Sequence, residues 1–130
     1  MLLPEIGTYL DAQTSLTLGT NLMLSRLPDT PDVCVALFEY SGRLPQHTFG
    51  TNSAWELPRF QVQIRDDDYA TARTMAQTCY NALTFTNQTL TGVRYMRCEP
   101  LQSPFLLRRD ENERVILIFN CEAWKDLSST

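Results

Sequence analysis

The feature that most constrains this chain is a change of period between residues 59 and 72. Across RFQVQIR (59–65) apolar and polar residues alternate without a fault, Phe60, Val62 and Ile64 against Arg59, Gln61, Gln63 and Arg65. Successive side chains of a strand point to opposite faces, so this segment reads as a strand with one dry and one wet face. Asp66, Asp67 and Asp68 follow, and past them the period becomes helical. Ala72, Met75, Ala76, Cys79, Tyr80 and Leu83 form one stripe, with Thr71, Arg73, Thr74, Gln77, Thr78 and Asn81 on the other side. A carboxylate at a helix entrance accepts hydrogen bonds from unpaired backbone N–H groups and meets the positive end of the dipole. A metal site would need further ligands, and neither a histidine nor a matching acidic cluster offers them. The aspartates therefore read as a helix start.

The other segments fit around this unit. VILIFNCEAW (115–124) is the most apolar and reads as the central strand. VCVALFEY (33–40) is apolar on both alternating sets, as a strand covered on both faces. LMLSRL (22–27) and VRYMRCE (93–99) read as shorter strands. Residues 3–13 read as a short helix, with Pro4 suited to its first turn and Leu3, Ile6 and Leu10 at helical spacing. TLGTN (17–21) is a turn and LPDTPD (27–32) a break. SGRLPQHTFGTNSAWELP (41–58), with two glycines, two prolines and no period, reads as a long loop. TNQTLTG (86–92) reads as a polar link. Residues 100–114 return through two prolines and a charged turn at Asp110–Glu113, with room for one further strand, and 125–130 should fray. The expected fold is α+β in one domain over 1–130. It has a single mostly antiparallel (mixed) sheet, one long amphipathic helix packed on a face, and a short N-terminal helix.

Composition excludes several classes. At 130 residues, 43% apolar and 20% charged, the chain can bury a core without metals or disulfides. A formal net charge of -4 gives no excess positive charge for non-specific nucleic-acid binding. The start MLLPEIGTYLDAQ lacks a basic region and is interrupted by Pro4, Glu5 and Asp11, so it is not read as a signal peptide. No apolar run approaches a membrane span. Cys34, Cys79, Cys98 and Cys121 form no C-x-x-C pair, and small buried thiols in a cytosolic chain are the expectation.

No catalytic, cofactor-binding or metal-ligating residue is assigned. His47 lacks a nucleophile-elbow serine, and no phosphate-cradling glycine loop occurs. Trp55, among polar neighbours, either plugs back onto its own core or anchors a partner. These residues describe a soluble α+β domain with a presentable loop and an interaction or structural role.

Three collinear stretches carry a family resemblance: residues 18–45, 59–83 and 95–122. Within them stand Leu24 with Arg26-Leu27-Pro28-Asp29 and Pro31-Asp32, then Val35-Ala36-Leu37, Glu39-Tyr40 and Gly42. Gln61-Val62 with Arg65, Asp68-Tyr69, Gln102-Ser103-Pro104 and Arg109-Asp110-Glu111 complete the set. On these residues the chain resembles the bacteriophage minor capsid family, whose members are similar to tail-terminator, or tail-completion, proteins of tailed phages. The resemblance is weakest from Thr48 to Trp55. It implies a structural virion protein of the neck, assembled in the host bacterial cytoplasm, with no catalytic residues to transfer. Its members form a ring, usually of six copies, on the tail tube and present a surface to a head-completion, stopper or connector protein. Genomic DNA would pass through without specific binding, and no membrane is involved. A head-to-tail ring needs two different surfaces on each subunit. The candidate contact residues are Arg43, His47, Trp55, Arg59, Gln61, Gln63, Arg73, Arg108 and Arg109, from the wet strand face, the polar helix face, the 41–58 segment and the charged turn. Two other readings stay open: a monomeric adaptor or other connector component, and a small hydrolase using His47 with an acid.

Overall fold

The computed structural model describes residues 1–47 and 54–126. In chain order its elements are α1 (Leu2–Gln13), β1 (Leu22–Leu24), β2 (Cys34–His47), β3 (Ala54–Asp66), α2 (Tyr69–Ala82), β4 (Phe85–Leu90), β5 (Val93–Pro100), β6 (Phe105–Arg109) and β7 (Val115–Asp126). The strands form one sheet in the order β1-β2-β3-β7-β5-β4, with β6 also paired to β7. β1 runs parallel to β2 and every other pairing is antiparallel, so the sheet is mixed and the fold α+β.

β7 is central, as its apolar run requires. Val115 to Phe119 are all buried. β3 pairs with β7 from Trp55↔Asp126 to Asp66↔Val115. The other side of β7 is shared end to end, β6 taking Val115–Ile118 and β5 taking Cys121–Lys125. The alternation of 59–64 is realised: Phe60, Val62 and Ile64 are buried, in one cluster with Ile6 and Leu10 of α1 and Ala72, Ala76 and Cys79 of α2. Both helices thus share one face of the sheet. The small residues of α2 let it lie close on β3 and β7, while α1 touches β1, β2 and β4, which stand at opposite ends of the strand order. The sheet therefore curls around α1. Fully burying a side chain such as Phe60 contributes roughly 1.5–3 kcal/mol.

The aspartate triplet divides its work. Asp68 is the N-cap of α2, accepting from the Thr71 backbone N–H at 3.1 Å and its hydroxyl at 2.6 Å. Asp66 ends β3, is buried, and accepts the Asp68 N–H on Oδ1 at 3.0 Å, while its Oδ2 has no hydrogen-bond partner. The LPDTPD break is clasped onto the sheet by two buried arginines. Arg65 donates to the carbonyls of Pro31 (2.6 Å) and Asp32 (3.1 Å). Arg114 pairs with Asp29 (2.9 Å), Asp32 (3.0 Å) and Asp110 (2.8 Å).

Five expectations are corrected. The segment 41–58 is not a loop where it is described: residues 41–47 extend β2 and 54–58 begin β3. Its prolines sit where the ladder skips residues. Pro45 lies in the register shift between Arg43 and Gln46, and Pro58 between the pairs at Leu57 and Arg59. These are positions where a missing N–H breaks no ladder bond. Gly42 is required there, because a Cβ would overlap the Leu57 carbonyl oxygen and meet the Pro58 Cα at 2.9 Å. The polar link at 86–92 contains β4, an edge strand whose middle residues are exposed and which is held by pairing with β5. β1 ends at Leu24 rather than residue 27. The helices have 12 and 14 residues, close in length rather than one short and one long. At the expected frayed tail, Lys125 and Asp126 end β7 and Lys125 is buried. Residues 127–130 lie outside the described residues, as do 48–53 of the expected loop.

Candidate functional site

Opposite the helices the sheet presents the wet residues of β3, and its register sets a polar ladder across three strands. Gln61 faces Asn120 of β7 and Phe38 of β2, and Arg59 faces Glu122 and Tyr40. The Gln63 amide donates to Gln61 Oε1 at 2.8 Å, and Gln61 Nε2 donates to Asn120 Oδ1 at 3.2 Å. An open concavity of about 330 Å³ lies over this row, lined by Phe38, Glu39, Tyr40, Gln61 and Asn120.

Glu122, only 3% exposed, is the electrostatic centre. The register shifts of β2 on either side of Arg43 accompany its reach to β7. Its Nε donates to Glu122 Oε2 at 2.9 Å and its Nη2 to Oε1 at 2.7 Å, a bidentate fork. Arg59 Nε donates to the same Oε2 at 2.9 Å. Burial pushes the Glu122 carboxyl up, but the hydrogen bonds and charges of Arg43 and Arg59 outweigh it and hold the group below the usual carboxylate range. A carboxylate held ionised by two guanidiniums is a weak base. Beside it two guanidiniums approach the Trp124 ring centroid, Arg97 at 5.1 Å and Arg43 at 5.9 Å, and Arg97 pairs with Glu99 at 3.1 Å. The face is therefore ordered, charged and aromatic, of the composition that recognises other proteins. Among the described residues no group of three or more His, Cys, Asp or Glu is arranged to hold a metal, and no helix is long and apolar enough to cross a membrane.

The structure gathers Arg43, Arg59, Gln61 and Gln63 on this one face. Arg108 stands at its margin, around a polar cleft shared with Gln63, Asp29 and Glu111. Arg73 is on α2, donating to the Tyr69 hydroxyl (2.8 Å) and the Pro104 carbonyl (2.6 Å). Arg109 closes the β6–β7 turn by donating to the Glu113 carbonyl at 2.9 Å. Trp55 is half-buried in β3, paired with Gln46 and Asp126, with the Arg94 guanidinium 5.8 Å from its ring centroid. His47 ends β2 opposite Ala54, and its side chain falls outside what is described. Sequence reasoning missed Glu122, Trp124 and Arg97. Its available signal was the alternation of Asn120, Glu122 and Trp124 against Cys121 and Ala123.

Comparison with known proteins gives the following. The family model described as bacteriophage tail terminator protein matches residues 9–126. No curated protein matches the chain. Among solved structures, a chain described as "Virion of native gene transfer agent (GTA) particle" is similar with a TM-score of 0.60 and 18% identity, over 83% of this chain and 80% of that one. At that identity the likeness is one of fold.

Proposed function

The chain belongs to the bacteriophage tail terminator family, and from that premise we propose that it assembles as a ring of six copies closing the head-proximal end of the tail tube. It is a structural protein of the virion tail and neck, not an enzyme. In this reading the tail tube protein lies against one side of the ring and a head-completion, stopper or connector protein against the other. Genomic DNA passes through without specific binding, consistent with a net charge of -4, since a channel that gripped phosphates would retard the DNA. Assembly takes place in the host bacterial cytoplasm.

The observation that carries the reading is the family match over nearly the whole chain. The open sheet face supports it physically. Arg43, Arg59 and Trp124 are already held in place by Glu122 and by one another, so little side-chain entropy remains to be lost when a partner docks. Arg43, Arg59, Gln61 and Gln63 are proposed as one contact surface. Trp55, His47, Arg73, Arg108 and Arg109 belong to others.

Electron microscopy of particles made without this protein tests the proposal. Filled heads and separate tails, many of abnormal length, are expected. Normal joined virions would overturn it.

A further inference from the structure

β6 is a short edge strand that begins apolar and ends in two arginines. Among the described residues it pairs only with β7, and all five of its residues, Phe-Leu-Leu-Arg-Arg, are exposed. Phe105, Leu106 and Leu107 are 40%, 45% and 47% exposed, with no charge or proline among them to discourage pairing. The strand is nonetheless held firmly. Arg73 donates to the Pro104 carbonyl just before it, and Asp110 organises the turn after it through Asn112 and Arg114. A rigid free edge is thus presented to the outside. Phe105 and Arg108 are in register with Ile118 and Ile116 on the open face of the sheet, and Leu106 and Arg109 with Leu117 and Val115 on the helix face.

A groove of matching character lies elsewhere on the molecule. Leu2, Leu3 and Pro4 of α1, Leu24 of β1 and Pro58 of β3 line a cavity of about 440 Å³. Glu39 and Glu56 stand among its lining residues. Lys125 is also there, but its ammonium is engaged by Glu5 at 3.2 Å. β6 cannot fill the groove of its own subunit. It pairs with Ile118 of β7 at the nearest, whereas Glu56 beside the groove pairs with Lys125. That end of the groove is seven residues away along β7, roughly 23 Å at about 3.3 Å per residue. Its Glu39 and Leu24 lie on β2 and β1, across β7 and β3 from β6, about 14 and about 19 Å at about 4.8 Å per strand.

We infer that β6 of one subunit docks into the α1–β1–β3 groove of the next, with Phe105–Leu107 against the apolar lining and Arg108 and Arg109 against Glu39 and Glu56. Two unlike, complementary surfaces at separate ends of one chain make a head-to-tail contact, which closes into a ring where the rotation permits. The inference rests on the ring reading above and specifies which surfaces close it.

The test exploits the charges. Arg108→Glu with Arg109→Glu gives a subunit acidic on both surfaces, and Glu39→Arg with Glu56→Arg gives one basic on both. Each alone should require at least 100-fold more protein than wild type to form rings, by light scattering and on isolated tail tubes. An equimolar mixture should regain wild-type assembly, alternating the two subunits around an even-numbered ring. Leu107→Asp, at an exposed site, should also block ring formation while its circular dichroism and melting match wild type. Rings from either charge variant alone, or from Leu107→Asp, or no rescue in the mixture, would overturn the docking while leaving the wild-type ring intact. A wild-type protein that forms no ring even on tubes would instead remove the ring reading, and this inference with it.

Discussion

Glu5→Gln should be the most destabilising conservative change in the helical layer. Glu5 of α1 is buried and accepts the Tyr95 hydroxyl at 2.6 Å, the Lys125 ammonium at 3.2 Å and the Met1 amine at 2.7 Å. Lys125 is itself only 3% exposed. Glutamine keeps an oxygen for Tyr95 but removes the charge that balances the Lys125 ammonium. Breaking a buried pair from one side costs about 3–5 kcal/mol, and the retained acceptor places this case near about 3 kcal/mol. For a chain of this length that corresponds to a melting shift on the order of 10 °C, and to a large part of a typical stability of roughly 5–15 kcal/mol. Urea unfolding at neutral pH measures it. The double change Glu5→Gln with Lys125→Met should recover most of the loss, because the glutamine oxygen still accepts the Tyr95 hydroxyl and no charge is left stranded. A Glu5→Gln loss below about 1 kcal/mol, or a double variant as unstable as the sum of its parts, would refute the reasoning.

The same carboxyl has a pH signature. Burial pushes Glu5 up, but the hydrogen bonds from the Met1 amine, Tyr95 and Lys125 outweigh it and hold the group below its ordinary value. The unfolded chain then binds the extra proton first as pH falls. The stabilisation is complete above the unfolded value, about 4.3, and is lost as pH drops through the folded one. Glu5→Gln should therefore be less acid-labile relative to its own neutral-pH stability than wild type.

Three further outcomes are expected. Asp68→Ala should lower the melting temperature and speed hydrogen exchange at the Thr71 amide, whereas Asp68→Asn should leave both near wild type, since asparagine also caps. Asp66→Asn should raise stability at neutral pH: burial and the Asp67 carboxylate push Asp66 up, so its ionisation opposes folding, and the penalty grows as pH rises through its folded value. Thermal melts from pH 4 to 8 check this, and a stability gap that shrinks toward neutral pH contradicts it. Trp55→Ala should weaken ring or tube association by on the order of 2 kcal/mol while the isolated subunit still folds, at a somewhat lower melting temperature because part of the ring is covered. A destabilised subunit with unchanged association would assign Trp55 to the fold instead.

What the sequence disclosed was whatever its neighbours in sequence determine. The alternation of 59–64, the cap at Asp68 and the apolar stripe of α2 are local patterns, and each stands as read. Arg65, expected on the wet face, is instead buried under the 27–32 break. The missed elements are held together from far along the chain. Gly42, Pro45 and Pro58 look like loop residues until β7 and the β2–β3 bulges give them places in a ladder. β4 shows no alternation because its middle residues are exposed at the sheet edge and only pairing with β5 makes it a strand. Lys125 looked like part of a fraying tail because its partner, Glu5, sits at the other end of the sequence. Half the open face was legible through Arg59, Gln61 and Gln63. Its centre was not, because the five buried residues 115–119 hide the alternation that begins only at Asn120.

The residues that carry the family resemblance fall partly on surfaces proposed to carry assembly, at Leu24, Glu39, Gln61 and Arg109, and partly inside the scaffold, where the structure gives a physical reason for them. Asp29, Asp32 and Asp110 of the resemblance converge on the buried Arg114, while Arg65 holds the carbonyls of Pro31 and Asp32. Of the three carboxylates Asp110 is the most buried and also orders the turn, so its loss costs most, whereas water can replace the exposed Asp29 or Asp32. The clasp also sets the β6–β7 turn: Asp110 accepts the Asn112 and Arg114 backbone N–H groups, and its own N–H donates to the Arg114 carbonyl. That turn fixes the path of β6. The exposed apolar residues of β6 meet no such internal constraint, and neither does Glu56 at the groove, so their identities are free to follow a neighbouring subunit, whereas Glu39, Gln61 and Arg109 belong to both sets. A scaffold constrained from within thus holds contact surfaces constrained only from without, and a sequence pattern reports the first far better than the second.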